Sequence, residues 1–194
     1  MRLALLTTLM LINALGLSGR AQPKRPEKVP PQTGVSNLAL LGSARSRALP
    51  ASHRPLQAGE TLRLGYPLAR IAQEVQPYGW RYSSHSNSWR MHAGHDLIAP
   101  AATPVLAMLS GQVLLAKTVS GYGLTILLDH GRGWQTLYAH LQTTHVKPGQ
   151  LVRTGEQIGR VGKSGSASTD HLHVELRKLQ GPQAYALDLA PLLP

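Results

Sequence analysis

The sequence predicts an all-β fold, an antiparallel sandwich or barrel-like domain, on three observations. Short aliphatic and β-branched runs recur between Gly and Pro turn signals, the spacing that argues a sandwich or barrel. No long stretch carries apolar residues at helical period. Hydrophobic residues make up 42% of the 194 residues, enough to fill one core of medium size.

The elements follow in order. Met1-Arg2, an apolar run from Leu3 to about Leu17, and Ser18-Gly19-Arg20-Ala21 form a charged start, an apolar middle and small residues at a cleavage point, as a secretory leader does. Residues 1–21 are therefore expected to be a signal peptide cut after Ala21. The apolar run is shorter than the roughly 20 residues a spanning helix needs, so no stable membrane insertion is expected after cleavage. Residues 22–59 hold Pro23, Pro26, Pro30, Pro31, Pro50 and Pro55 among scattered Lys and Arg. That composition buries too little apolar surface to fold and reads as a largely disordered basic linker. Residues 60–194 are the expected folded domain. Its strands are Pro104–Ala107, Gln112–Leu115, Leu124–Asp129 after the Gly121-Tyr122-Gly123 turn, Trp134–Tyr138 after Gly131-Arg132-Gly133, and a last strand from His171 to Arg177. Lys147-Pro148-Gly149, Gly155 and Gly159 punctuate the interval before that last strand.

Composition narrows the chemistry. The chain has no cysteine, which excludes disulfides, Cys-ligated zinc and thiol catalysis. Its formal charge of +11 calls for an anionic partner. A nucleic-acid binder is the first class this suggests, but the leader opposes it and no stacking-rich basic motif is present. Attraction to an anionic cell envelope accounts better for the charge.

Three segments concentrate histidine: His92-Ala-Gly-His95-Asp96, Leu137-Tyr138-Ala139-His140 and His171-Leu172-His173. On a strand, residues i and i+2 share a face, so His171 and His173 project together while Leu172 turns to the core. Alone, the pair reads more readily as two solvent-facing histidines than as metal ligands. Gly94 and the nearby Pro100 disfavour a helix through His92-x-x-x-Asp96, leaving a strand end or loop that folds both side chains toward one point. An ordinary Asp-containing turn fits that segment as well. Imidazole nitrogens and a carboxylate suit Zn²⁺, whose open catalytic sites keep three protein ligands. The set fills three positions and leaves two histidines over. His53, His85, His130 and His145 carry no matching context, and His95 differs only in sitting inside the first segment.

Taken together, the segments resemble the LytM/lysostaphin-type zinc metallopeptidases of the duplicated hybrid motif fold, which cleave bacterial peptidoglycan. Those enzymes carry H-x-x-x-D, a Y-A-H-L-like segment and H-x-H in this order, here His92–Asp96, Tyr138-Ala139-His140-Leu141 and His171–His173. Flanks match too, among them Tyr78-Gly79-Trp80-Arg81, Val161-Gly162-Lys163-Ser164-Gly165 and Val174-Glu175-Leu176-Arg177. The likeness spans about Gly65 to Leu193. It implies one Zn²⁺ per chain on His92, Asp96 and His173. It also implies a catalytic pair, His140 and His171, acting on a zinc-activated water, with peptidoglycan peptide stems as substrate and envelope regulators as partners. The expected location is secreted or periplasmic. Some relatives keep the fold as non-catalytic activators of cell-wall amidases; those typically lose metal or catalytic histidines, and the full set is retained here. One departure is Thr169-Asp170 where family members often have Gly-Pro, which sets a carboxylate beside His171.

Overall fold

The computed structural model describes residues 62–83 and 87–194. The leader and the linker expected at 1–21 and 22–59 lie outside the described residues, as do His53 and His85. Twelve strands follow one another: β1 (Glu74–Gln76), β2 (Gly79–Ser83), β3 (Ser88–His92), β4 (His95–Ile98), β5 (Pro104–Leu106), β6 (Gly111–Val119), β7 (Gly123–Asp129), β8 (Trp134–Thr144), β9 (Leu151–Val152), β10 (Gln157–Val161), β11 (His171–Gln180) and β12 (Gln183–Leu187). A 3-10 turn at Ala190–Leu192 follows them. Every strand pairing is antiparallel, so the expected all-β antiparallel class holds.

Ten strands form one sheet in the order β1-β4-β11-β8-β7-β6-β9, with β12 beside β11 and β10 joining β5 to β8. The hairpin β2–β3 stands apart as a two-stranded ribbon. β11 is the hub: β8 runs along one edge, while β4 takes His171–Val174 and β12 takes Leu176–Gln180 on the other. One face of β11 carries Leu172, Val174 and Leu176 into the main core with Leu97, Ile126, Leu128, Tyr138 and Ile158. Its other face carries His171, His173, Glu175 and Arg177, also buried. A smaller apolar cluster of Leu115, Leu127, Leu137 and Ala139 packs on the second face of β6–β8.

The structure goes beyond the sequence reading in several places, among them β9 and β10, which fill an interval read only as turns. β11 continues past Arg177 to Gln180, and a hairpin through Gly181, at φ 59°, adds β12. That strand is held because Ala184 and Ala186 turn inward. Strands β1 to β3 were likewise not anticipated, although Trp80 and Tyr82 of β2 and Trp89 and Met91 of β3 alternate with other residues and share one face of the ribbon.

Candidate active site

The site forms where β4 lies against β11. Asp96 sits directly opposite His173 in that pairing, and His173 sits opposite Ala139 of β8. His140, the next residue of β8, therefore comes to the same place. It adopts a left-handed backbone, φ 60°, which a residue with a Cβ enters at a cost. Tyr122 O accepts the His140 backbone N–H at 2.9 Å, and the twist turns the imidazole into the groove. His92 ends β3 and approaches from the separate ribbon. The short link Ala93-Gly94 brings the two ribbons together. A Cβ at Gly94 would lie 2.4 Å from Val174 O and 2.9 Å from His173 Cε1, so only glycine allows that approach.

Three ligand-type atoms converge. His92 Nε2 is 3.0 Å from Asp96 Oδ1 and 3.2 Å from His173 Nδ1, and His173 Nδ1 is 2.7 Å from Asp96 Oδ1. One ligand atom from each of the three residues lies within 4.8 Å of the others. Bonds of about 2.0–2.1 Å around a tetrahedral ion would set such atoms about 3.3 Å apart, so the donor set and its spacing fit a zinc-sized cation. His140 and His171 stand beside them with ring centroids 4.8 Å apart, and His171 Nε2 is 3.7 Å from Asp96 Oδ1. All five side chains open on one groove of about 650 Å³.

The tautomers follow from the partners. A carbonyl or carboxylate oxygen can only accept, so the nitrogen facing it carries the proton. His92 Nδ1–H donates to Pro77 O at 2.9 Å, and His173 Nε2–H donates to Glu175 Oε1 at 3.0 Å. His140 Nδ1–H donates to Ser164 O at 2.8 Å and His171 Nδ1–H to Thr169 O at 2.9 Å. Of the remaining nitrogens, His92 Nε2 and His173 Nδ1 converge on Asp96 Oδ1, while the Nε2 atoms of His140 and His171 make no hydrogen bond among the described residues and face the groove. Holding a ligand histidine through its far nitrogen is how metal sites fix ring orientation.

Behind His173 lies a buried network. Glu175 and Arg177 are both 0% exposed. The Arg177 guanidinium reaches Glu175 Oε2 through Nε at 2.7 Å and through Nη2 at 2.6 Å, and Tyr122 Oη donates to Glu175 Oε1 at 2.8 Å. Burial favours the neutral acid at Glu175, yet Arg177 and the His173 proton hold it well below the usual carboxylate range. Burial likewise opposes ionisation of Asp96, but its contacts with His173 and His92 hold it ionised. Burial alone would lower His173; Asp96 and Glu175 overcome it and raise the metal-free imidazole to about 9. Two carboxylates thus demand a cation at this point. At His140 burial prevails and pushes the ring below the ordinary imidazole range, so it is neutral at pH 7.

The structure brings together all five residues singled out in the sequence. His95 points to the other side of β4, where it is buried with Nε2 3.4 Å from Asp188 Oδ1. His130 is a buried structural residue and His145 is exposed. Sequence reading missed Glu175, Arg177 and Pro77 as supports. The first two had a signal: His171, His173, Glu175 and Arg177 alternate with Leu172, Val174 and Leu176, so period two puts all four on one face. Pro77 had none, because it acts through its carbonyl.

Residues 90–185, which contain His92, Asp96, His140, His171, His173, Glu175 and Arg177, match the signature of Peptidase family M23. The chain is 41% identical over 101 residues to the DD-carboxypeptidase/endopeptidase Mpg of Neisseria meningitidis, a match covering 52% of this chain and 23% of that protein. It is 34% identical over 116 residues to the murein hydrolase activator EnvC of Escherichia coli, covering 59% of this chain and 28% of EnvC. Its matched part thus spans only about a quarter of those relatives. Among solved structures, the catalytic domain of the antimicrobial peptidase lysostaphin from Staphylococcus simulans superposes with a TM-score of 0.54 at 30% identity, covering 61% of this chain and 90% of that domain. Among the described residues, no helix is long and apolar enough to cross a membrane.

Proposed function

The chain belongs to peptidase family M23, and from that membership we propose that it is a zinc metalloendopeptidase of the cell envelope that hydrolyses peptide cross-links of peptidoglycan. The observation that carries the reading is the set of four imidazoles, each tied at its outer nitrogen, with the inner nitrogens of His92 and His173 converging on one ionised aspartate and those of His140 and His171 open to the same groove. In this reading His92, Asp96 and His173 hold a single Zn²⁺. A zinc ion there supplies Lewis acidity, acidifying water and polarising a carbonyl. The protein supplies the rest. Pro77 O and Glu175 hold the two ligand rings in place. Neutral His140 has Nε2 free to accept a proton, and His171 presents its own Nε2 to the same space. One of the two takes the proton of the attacking water on its Nε2; the other, with a second proton on its own Nε2, donates to the carbonyl oxygen as it gains negative charge. The basic surface and the leader expected at residues 1–21 favour an envelope location.

The EnvC likeness supports a second reading, a non-catalytic activator of cell-wall amidases. Zinc-loaded protein incubated with purified sacculi distinguishes them. Mass spectrometry of the released muropeptides is expected to show cleaved cross-links. His140→Ala and His171→Ala are each expected to keep their zinc and lose about a hundredfold or more in turnover, the usual loss for one transition-state donor. Loss of zinc in either variant would mean that ligand and catalyst are misassigned. Absence of any cleavage by the wild-type protein, with stimulation of an added amidase, would establish the activator.

A further inference from the structure

The ribbon β2–β3 carries a feature that the reaction above does not use. Arg90 lies directly opposite Arg81 in the ribbon register. Opposed residues of an antiparallel pair share a face, and like charges placed so repel. Neither guanidinium meets a carboxylate among the described residues. Arg81 Nη1 donates only to the neutral Gln76 Oε1 at 2.9 Å, and Gln76 sits opposite Asp96 in the β1–β4 pairing. Arg90 is exposed, and no hydrogen bond holds it among the described residues.

Position gives this unneutralised pair its meaning. Arg90 and His92 are two residues apart on β3, hence on the same face and about 7 Å apart along the strand. Both line the active groove, and Arg90 is the single Lys or Arg among the lining residues. The groove lining also includes Ser120, Ser166 and Ser168, which carry no charge. We propose that Arg90, supported by the charge of Arg81, is a specificity-determining residue that binds a free carboxylate of the peptide about one residue from the amide being cut. This rests on the endopeptidase reading and narrows its substrate class to cross-links bearing an acidic group beside the scissile bond. A guanidinium fork suits the carboxylate because it can bind both oxygens at once.

The test compares cross-linked muropeptide dimers from diaminopimelate-type peptidoglycan with the same dimers after their carboxylates are converted to carboxamides. Zinc-loaded wild-type protein should show a KM about tenfold or more higher on the amidated dimers, the scale of one lost charged hydrogen bond, with kcat little changed. Arg90→Gln should raise KM on the free-acid dimers to that same level and respond no further to amidation. Arg90→Lys should recover part of the preference. Calorimetric binding to zinc-loaded His140→Ala should show the same ratio in Kd without turnover. Equal wild-type KM on both dimers, or a full preference kept by Arg90→Gln, overturns the anion site and leaves the endopeptidase reading intact. If neither dimer is cut but the binding preference appears, the anion site stands and the endopeptidase reading falls. Neither cutting nor preferential binding overturns both.

Discussion

Glu175→Gln tests whether the buried network behind the proposed metal ligands is a structural support or a tuning device. The substitution keeps the volume and removes the charge. Arg177 is 0% exposed and its guanidinium faces Glu175 through two nitrogens, at 2.7 and 2.6 Å. Removing one partner of a buried pair leaves an uncompensated charge and costs about 3–5 kcal/mol. With an m-value of about 2 kcal/mol/M, the urea midpoint of the metal-free protein should fall by about 2 M. Removing both charges together, as Glu175→Leu with Arg177→Leu, should recover most of that loss, since replacing a whole buried pair by apolar groups is often close to neutral. Metal binding should separate the two roles. His173 Nε2–H loses its anionic acceptor at 3.0 Å in both variants, so zinc affinity, measured by competition with a chelator, should drop about 10- to 100-fold in both. A Glu175→Gln protein that unfolds at the wild-type urea concentration and binds zinc as tightly would refute the reasoning.

Two further outcomes follow from the packing around the site. His130 is 1% exposed, donates from Nδ1 to Ser110 O at 2.9 Å and meets the Thr136 hydroxyl through Nε2 at 2.8 Å; burial lowers it from 6.5 to about 4. The unfolded chain therefore takes up this proton first as pH falls, so stability should decline between about pH 6.5 and 4 by up to about 3 kcal/mol. Urea titrations across that range, with the imidazole shifts followed by NMR, check it; a His130 ring that titrates above pH 6 in the folded protein would sink the idea. Gly123→Ala puts a Cβ at φ 66°, 2.4 Å from the Ser164 Oγ, and Ser164 O holds the His140 ring. It should cost more than about 1 kcal/mol and lower kcat by more than its small unfolded fraction explains, as activity and circular dichroism measured on the same sample will show.

The parts of the fold legible in the sequence are those in which turn chemistry and period two agree. Gly121-Tyr122-Gly123 and Gly131-Arg132-Gly133 bracket β7 and open β8, and both turns use positive φ. The ribbon β2–β3 was overlooked although Trp80, Tyr82, Trp89 and Met91 alternate along it, because no Gly or Pro stands between Ser83 and Ser88 to announce a hairpin. The five site residues stood out because they fall in three short segments whose spacing is particular. The distinction between His95 and its neighbours was not readable one residue at a time. It depends on the pairing of β4 with β11, which fixes the face that Asp96 shares with His173 and so turns His95 away.

The left-handed His140 and the opposed Asp96 and His173 have a consequence for how this protein comes into being. The first two would-be ligands lie near residue 92 and the third at residue 173, on strands that pair only when nearly the whole sheet is complete. Contacts so distant in sequence form late, because the intervening loop must close before any of them forms. A chain emerging end first therefore holds no competent centre until β11 docks between β4 and β8. Assembly of the five-residue centre and completion of the sheet arrive in the same step. A partly made copy lacks the gathered side chains, and under the proposed function metal uptake by the finished one would report that folding has ended.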